Sequence, residues 1–224
     1  PDSLCAIRNG SPGFATLATN HVLDGGGEGL VRTLEALRQA RFTTVGAGRT
    51  REEIAQPTFW ETNEGRLAIL NWVFPETHPD WLSVPGAHCW PGPAEAESVL
   101  RETRRRADWV LVAVHWSDEL FPYPRPEDRA AARALARMGA DLVIGHHPHV
   151  VRGMEMFGAC PVFYSLGNLY FSDITDGKED DLRQAPRNRE GLGVLLSFRQ
   201  GSRPEFRVLS FWQEAAHITL DPRH

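Results

Sequence analysis

The run Trp109-Val110-Leu111-Val112-Ala113-Val114 is almost unbroken in apolar character. A strand with one wet face alternates apolar and polar residues, so this one is expected to be buried on both faces, as a parallel strand inside a sheet is. Such a sheet needs helices to cover it, and the chain supplies them. After Asp24-Gly25-Gly26-Gly27, the residues Leu30, Val31, Leu34 and Leu37 fall at helical spacing, which predicts a helix running to about Arg41. Pro93 suits the first turn of a second helix through Val99, Leu100 and Thr103. Residues 127–138, rich in alanine and arginine, predict a third that Gly139 closes.

Further apolar runs predict strands at Phe14-Ala15-Thr16-Leu17-Ala18, Thr43-Thr44-Val45-Gly46, Leu67-Ala68-Ile69-Leu70-Asn71-Trp72-Val73, Asp141-Leu142-Val143-Ile144 and Pro161-Val162-Phe163-Tyr164-Ser165-Leu166. The first of these, the helix after it and the next strand make a βαβ unit with a right-handed crossover. Two late runs, Leu192 to Phe198 and Phe206 to Trp212, flank Gln200-Gly201-Ser202 and predict a closing antiparallel hairpin. Residues 74–93 and 173–190 read as loops, the second charged and broken by glycine and proline. With no internal repeat, one α/β domain over residues 1–224 accounts for the chain.

Composition removes several function classes. The 224 residues are 42% hydrophobic and 24% charged, ordinary for a globular chain with a real core. A net charge of −5 offers no general attraction to nucleic acid, and Arg104-Arg105-Arg106 reads as a solvated helix face. Cys5, Cys89 and Cys160 are odd in number and widely spaced, which argues against a disulfide framework and for a reducing, cytoplasmic setting. No apolar stretch approaches the ~18 residues of a membrane span, and the start is unlike a signal peptide. The first residue is Pro1 and not methionine, so the chain is expected to be processed or incomplete.

Histidines mark the candidate site. Gly145-His146-His147-Pro148-His149-Val150 places three imidazoles within four residues directly after a strand. Imidazole serves both divalent metal ligation and proton transfer near neutral pH. Pro148 is expected to hold His147 in extended geometry, so that His147 and His149 project from a turn. Two other strands also hand over at once to polar residues, at Asn20-His21 and at His115. Ligands of parallel α/β sheets bind at the carboxyl ends of strands, so these residues are expected to converge. In the loop of residues 74–93, Trp81 and Trp90 could line a substrate groove or cover the edge of the core.

At these residues the sequence resembles the CapA family of poly-γ-glutamate capsule proteins, within the calcineurin-like metallophosphatase superfamily. The segments that carry the resemblance are Leu17-Ala18-Thr19-Asn20-His21-Val22-Leu23-Asp24, Val45-Gly46-Ala47-Gly48-Arg49, His115-Trp116, Gly145 to Val150, and Tyr164-Ser165-Leu166-Gly167-Asn168. They span most of residues 14–171 in the right order. The resemblance implies a metallophosphatase-like four-layer α/β sandwich with its site on loops after the strands. It implies Asn20, His115, His147 and His149 as metal ligands, and His21, His147 and His149 as the residues of the chemistry. Asp24, Glu119 and Asn168 match further family positions, where they would shape the site or meet substrate.

Two family features are missing: the strand that opens the family pattern with a metal-binding Gly-Asp, and a glutamate in an Asn-Leu-Glu motif. Asn20, His115, His147 and His149 are all neutral donors, about half of a dinuclear site. Either the N-terminal strand lies outside this chain, or the histidines do acid–base work without metal. The resemblance therefore implies an enzyme acting on a peptide or polyamide substrate, by metal-assisted chemistry with Mn, Fe, Zn or Mg or by imidazoles alone. Two alternatives are a metal-independent Cα-epimerase of a lasso-type peptide and a dinuclear phosphoesterase. A homo-oligomer is left open.

Overall fold

The computed structural model describes residues 11–77, 83–171, 185–214 and 217–220. In chain order the elements are β1 (Gly13–Thr16), α1 (Gly26–Gln39), β2 (Phe42–Val45), β3 (Ala47–Gly48), α2 (Arg51–Ala55), β4 (Thr58–Thr62), β5 (Gly65–Val73) and β6 (Gly86–Ala87). There follow α3 (Pro93–Arg104), β7 (Trp109–His115), α4 (Pro126–Arg137), β8 (Leu142–His146), β9 (Met154–Phe157), β10 (Cys160–Phe163), β11 (Glu190–Ser197), β12 (Glu205–Glu214) and β13 (His217–Leu220). A single 3₁₀ turn, Pro186–Asn188, precedes β11.

The central sheet has six strands in the order β4-β5-β7-β8-β10-β9. β5, β7, β8 and β10 run parallel, and the two edge strands pair antiparallel. Side chains alternate across β7 because successive Cβ atoms point to opposite faces. Val110, Val112, Val114 and Trp116 pack in one core with Ala96 and Leu100 of α3 and Ala132 and Leu135 of α4. Trp109 packs on the opposite face with Val45, Leu67 and Ile69, against Phe14, Trp60, Leu111 and Phe198. Both faces are therefore dry, as the sequence of β7 requires. Trp72, Trp109 and Trp116 are fully buried, and truncating any one to alanine would destabilise the fold by roughly 3–5 kcal/mol.

On that second face lie two smaller sheets. β1 and β2 pair in parallel, from Gly13 opposite Phe42 to Thr16 opposite Val45. The three-stranded β11-β12-β13 sheet meets β10 where Phe206 sets its ring edge-on to Phe163, with centroids 5.7 Å apart. Leu30 and Leu34 of α1 are buried with Ala47, against Leu17, Val22 and Leu23. Helices, sheet, sheets and helix give the four layers expected. Among the described residues, no helix is long and apolar enough to cross a membrane.

Some details differ from expectation. β8 continues through Gly145 and His146, so two site residues ride on the strand itself. Residues 74–93 are not all loop, because β6 pairs antiparallel with β3 and Cys89 bridges to Val73. β4, β9 and β13 are edge strands with only weak apolar runs. Most of the charged loop at 173–190 lies outside the described residues.

Candidate active site

Parallel pairing sets Val73, His115 and His146 on one rung, at the carboxyl ends of β5, β7 and β8. His115 is 7% exposed. The loop after β1 folds back under α1 through Leu17, Val22 and Leu23, and that brings Asn20 to His115. His115 Nε2 and Asn20 Oδ1 are 2.8 Å apart. The rings of His115 and His147 have centroids 4.6 Å apart, and those of His147 and His149 are separated by 6.3 Å. Four segments distant in the chain thus converge, as their strand-end positions imply.

The hydrogen bonds assign the tautomers. Asn168 Nδ2 donates to the carbonyls of His149 and Asn188, at 3.4 and 3.0 Å, so its Oδ1 faces His149 as an acceptor. His149 Nδ1–H therefore donates to Asn168 Oδ1 at 2.9 Å, and the lone pair is left on Nε2. On the other side, Asn20 Oδ1 accepts His115 Nε2–H while Asn20 Nδ2–H reaches His21 Nε2 at 3.3 Å. His21 Nδ1–H then donates to Asp24 Oδ2 at 2.8 Å, in an exposed pair. A lone pair remains on His115 Nδ1, which is buried without a partner, as is His147 Nδ1.

Burial also fixes charge. The His115 imidazole is pushed down to about 2, first by burial and then by its histidine neighbours His147, His146, His149 and His21. His146 is pushed down to about 4 by burial, and His147 is lowered by burial against the opposing pull of Glu119. These rings are neutral at physiological pH, the form in which imidazole binds metal. Among the described residues, no group of three or more His, Cys, Asp or Glu side chains is arranged to hold a metal ion. The donors that do converge are an amide oxygen and neutral imidazoles. The two buried ring nitrogens without partners are positions that a cation would satisfy, and they, with the Asn20 amide oxygen, are what this cluster offers a divalent metal.

His147 does not adopt the extended backbone that Pro148 was expected to impose. Its φ is +99°, and His149 has φ +57°. Tertiary bonds override the local preference: Leu120 N–H donates to Pro148 O at 2.8 Å, and Asn168 holds His149. Non-glycine residues at positive φ cluster where function demands a geometry. Gly145 makes a different accommodation, since a Cβ there would fall 2.2 Å from Tyr164 O and 2.6 Å from Trp116 Nε1.

Glu119 stands beside His147, with 3.9 Å from its Oε1 to His147 Nδ1. Trp90 stacks on Phe74 with centroids 4.9 Å apart and meets Trp72 edge-on, so it is placed over the core and not in the histidine cluster. Trp81 lies outside the described residues. Sequence reasoning missed the polar clamp under the loop of residues 117–125. Arg152 Nη1 donates to Ser117 Oγ at 2.6 Å, and its Nε and Nη2 hold the carbonyls of Phe121 and Asp118 at 2.8 and 3.0 Å. Ser117 in turn donates to Asp128 at 2.5 Å, and Arg125 joins Asp128 to Glu76. The one hint was a charged residue, Arg152, so soon after the histidines.

The profile of the bacterial capsule synthesis protein family PGA_cap matches residues 1–173. Capsule biosynthesis protein CapA of Bacillus anthracis is 28% identical over 214 residues, which cover 90% of this chain and 51% of that protein. PGA biosynthesis protein CapA of Bacillus subtilis (strain 168) is 31% identical over 183 residues, covering 79% of this chain and 47% of that one. The chain spans about half the length of the curated relatives it matches. Among solved structures, a putative 5'-nucleotidase from Staphylococcus aureus superposes with a TM-score of 0.61 at 16% identity, covering 98% of this chain and 42% of that one. That likeness shows the fold alone.

Proposed function

The chain belongs to the PGA_cap family of bacterial capsule synthesis proteins, and on that premise we propose that it is an enzyme that breaks an amide linkage in a polyamide of the poly-γ-glutamate type. The observation that carries the reading is the convergence of Asn20, His21, His115, His147 and His149, with His115 and His147 buried, held neutral and each left with a ring nitrogen unpartnered. A structural histidine has its ring nitrogens satisfied.

In this reading Asn20, His115, His147 and His149 are the donors that would hold a divalent cation, which supplies polarisation of the carbonyl oxygen and a more acidic water when bound. His21 is the proton carrier. It is exposed to substrate, and Asp24 accepts from its Nδ1–H, which orients the ring and leaves the lone pair on Nε2 to take a proton. As the water oxygen bonds to the carbonyl carbon, His21 Nε2 takes the proton that the water gives up, and it passes that proton to the leaving nitrogen as the C–N bond breaks. Asn168 fixes the ring of His149, and Glu119 biases His147 through its carboxylate.

The test incubates the full chain with poly-γ-glutamate and added Mn²⁺, Zn²⁺ or Mg²⁺ and counts newly released amines. The proposal expects release that vanishes in the His147→Ala, His149→Ala double variant. Absence of release from the parent chain, or undiminished release from the variant, overturns it.

A further inference from the structure

Residues 185–214 lie beyond the segment that the family profile matches, yet they build one wall of the histidine cluster. Leu192 N–H donates to Leu166 O at 2.7 Å, and Asn168 N–H donates to Glu190 O at 3.2 Å. Gln213 of β12 makes a more directed contact. It is 2% exposed, its Oε1 accepts the Phe171 N–H at 2.8 Å, and its Nε2 donates to Phe171 O at 2.8 Å. A side chain here performs the two-bond exchange that an antiparallel strand neighbour would make. The Phe171 ring, anchored this way, lies with its centroid 4.9 Å from that of His149 at an interplanar angle of 77°.

His149 is thus fixed twice over. Asn168 holds Nδ1 and so sets the tautomer, while Phe171 stands edge-on to the ring and restricts its rotation. A buried glutamine whose amide is spent on one residue's backbone restrains that residue far more than a packed apolar side chain would, because both bonds must break together for it to move.

Resting on the reading of His149 as a residue of the reacting centre, we infer that Gln213 is a positioning residue. By clasping both backbone polar groups of Phe171, it holds the ring that walls His149 and so fixes the direction in which His149 Nε2 faces the cluster. The C-terminal sheet is then part of the active-site architecture.

The experiment uses the full chain with ¹⁵N-labelled histidine and the variants Gln213→Met, Phe171→Leu and their combination. Gln213→Met keeps volume and removes both bonds. Once Phe171 is loosened the His149 ring can turn away from Asn168 Oδ1, so the ring spectrum of His149, read without metal, is expected to change from a single Nδ1–H tautomer to a mixture in Gln213→Met. Amine release is expected to show kcat lowered roughly tenfold in each single variant with KM within about threefold, since misplacement of a reacting group acts on the chemical step. The double variant should fall no further than the worse single one, because both remove the same restraint.

An unchanged His149 ring spectrum in Gln213→Met overturns the inference whatever the activity. A kcat that stays within about twofold of the parent while only the melting temperature falls does so too, as does a double variant whose losses multiply. Failure of the site reading itself is seen separately, as release that survives loss of His147 and His149.

Discussion

His115 and Asn20, 95 positions apart in the chain, meet at 2.8 Å through Nε2 and Oδ1. Asn20 also reaches His21, so a single amide joins the buried ring to the exposed one. Asn20→Ala removes both bonds from a loop residue and is expected to reduce amine release on the order of 10²-fold, the scale of a disrupted acid–base group. Circular dichroism and the urea midpoint should change little. Undiminished release would detach Asn20 from the reaction.

His88 gives a pH dependence away from the cluster. Its Nε2 accepts the Trp72 indole N–H at 3.2 Å, and burial pushes the ring down to about 4 from the ordinary value of 6.5. Between those values the unfolded chain binds the proton that the folded chain refuses, so stability is complete above 6.5 and falls as the pH drops towards 4. The loss from His88 between pH 7 and pH 5 should be on the order of 1–2 kcal/mol, read from urea midpoints. His88→Gln keeps an acceptor for Trp72 without titrating, and its acid limb should be flatter by that amount. Parallel limbs in parent and variant would refute the assignment.

Gly145→Ala forces a methyl group against Tyr164 O and Trp116 Nε1, which are themselves hydrogen-bonded at 3.0 Å. Overpacking of this kind in a closed strand pair should destabilise by roughly 1–3 kcal/mol or more. The histidine cluster begins at the next residue, His146, so release should fall with stability. A variant as stable as the parent by denaturant titration would contradict the packing described.

Arg152→Met removes a guanidinium whose side chain is wholly buried, leaving Asp128 without its 3.6 Å partner and two loop carbonyls unpaired. Breaking one side of a buried ion pair should destabilise by roughly 3–5 kcal/mol. Arg152→Lys, which keeps a charge beside Asp128 but cannot make all of the guanidinium's bonds to the loop carbonyls, should recover part of that loss, which unfolding free energies of the two variants measure. An identical loss in both would show that the carbonyl contacts dominate.

The layered fold was legible because Trp109 to Val114 allows no wet face and Leu30, Leu34 and Leu37 allow only one dry one. The convergence of Asn20, His115 and His147 was legible too, since strand ends in a parallel sheet share an edge. Other features depend on contacts that no local pattern encodes. The burial of Arg152 is set by carbonyls of a loop about thirty residues earlier, and the hold of Gln213 on Phe171 spans 42 positions. The backbone of His147 was misjudged because the preference of a residue before proline is a local energy of modest size, and two tertiary hydrogen bonds exceed it.

The left-handed backbone at His147 and His149 has a consequence for how this sequence can drift. Each position holds a branched ring where glycine or asparagine would sit with less strain, by roughly 1–3 kcal/mol. A lineage with no use for the imidazoles would find replacement there thermodynamically downhill, one substitution at a time. Histidine at both positions therefore sits uphill of its nearest alternatives, a local instability that the rest of the domain is stable enough to carry.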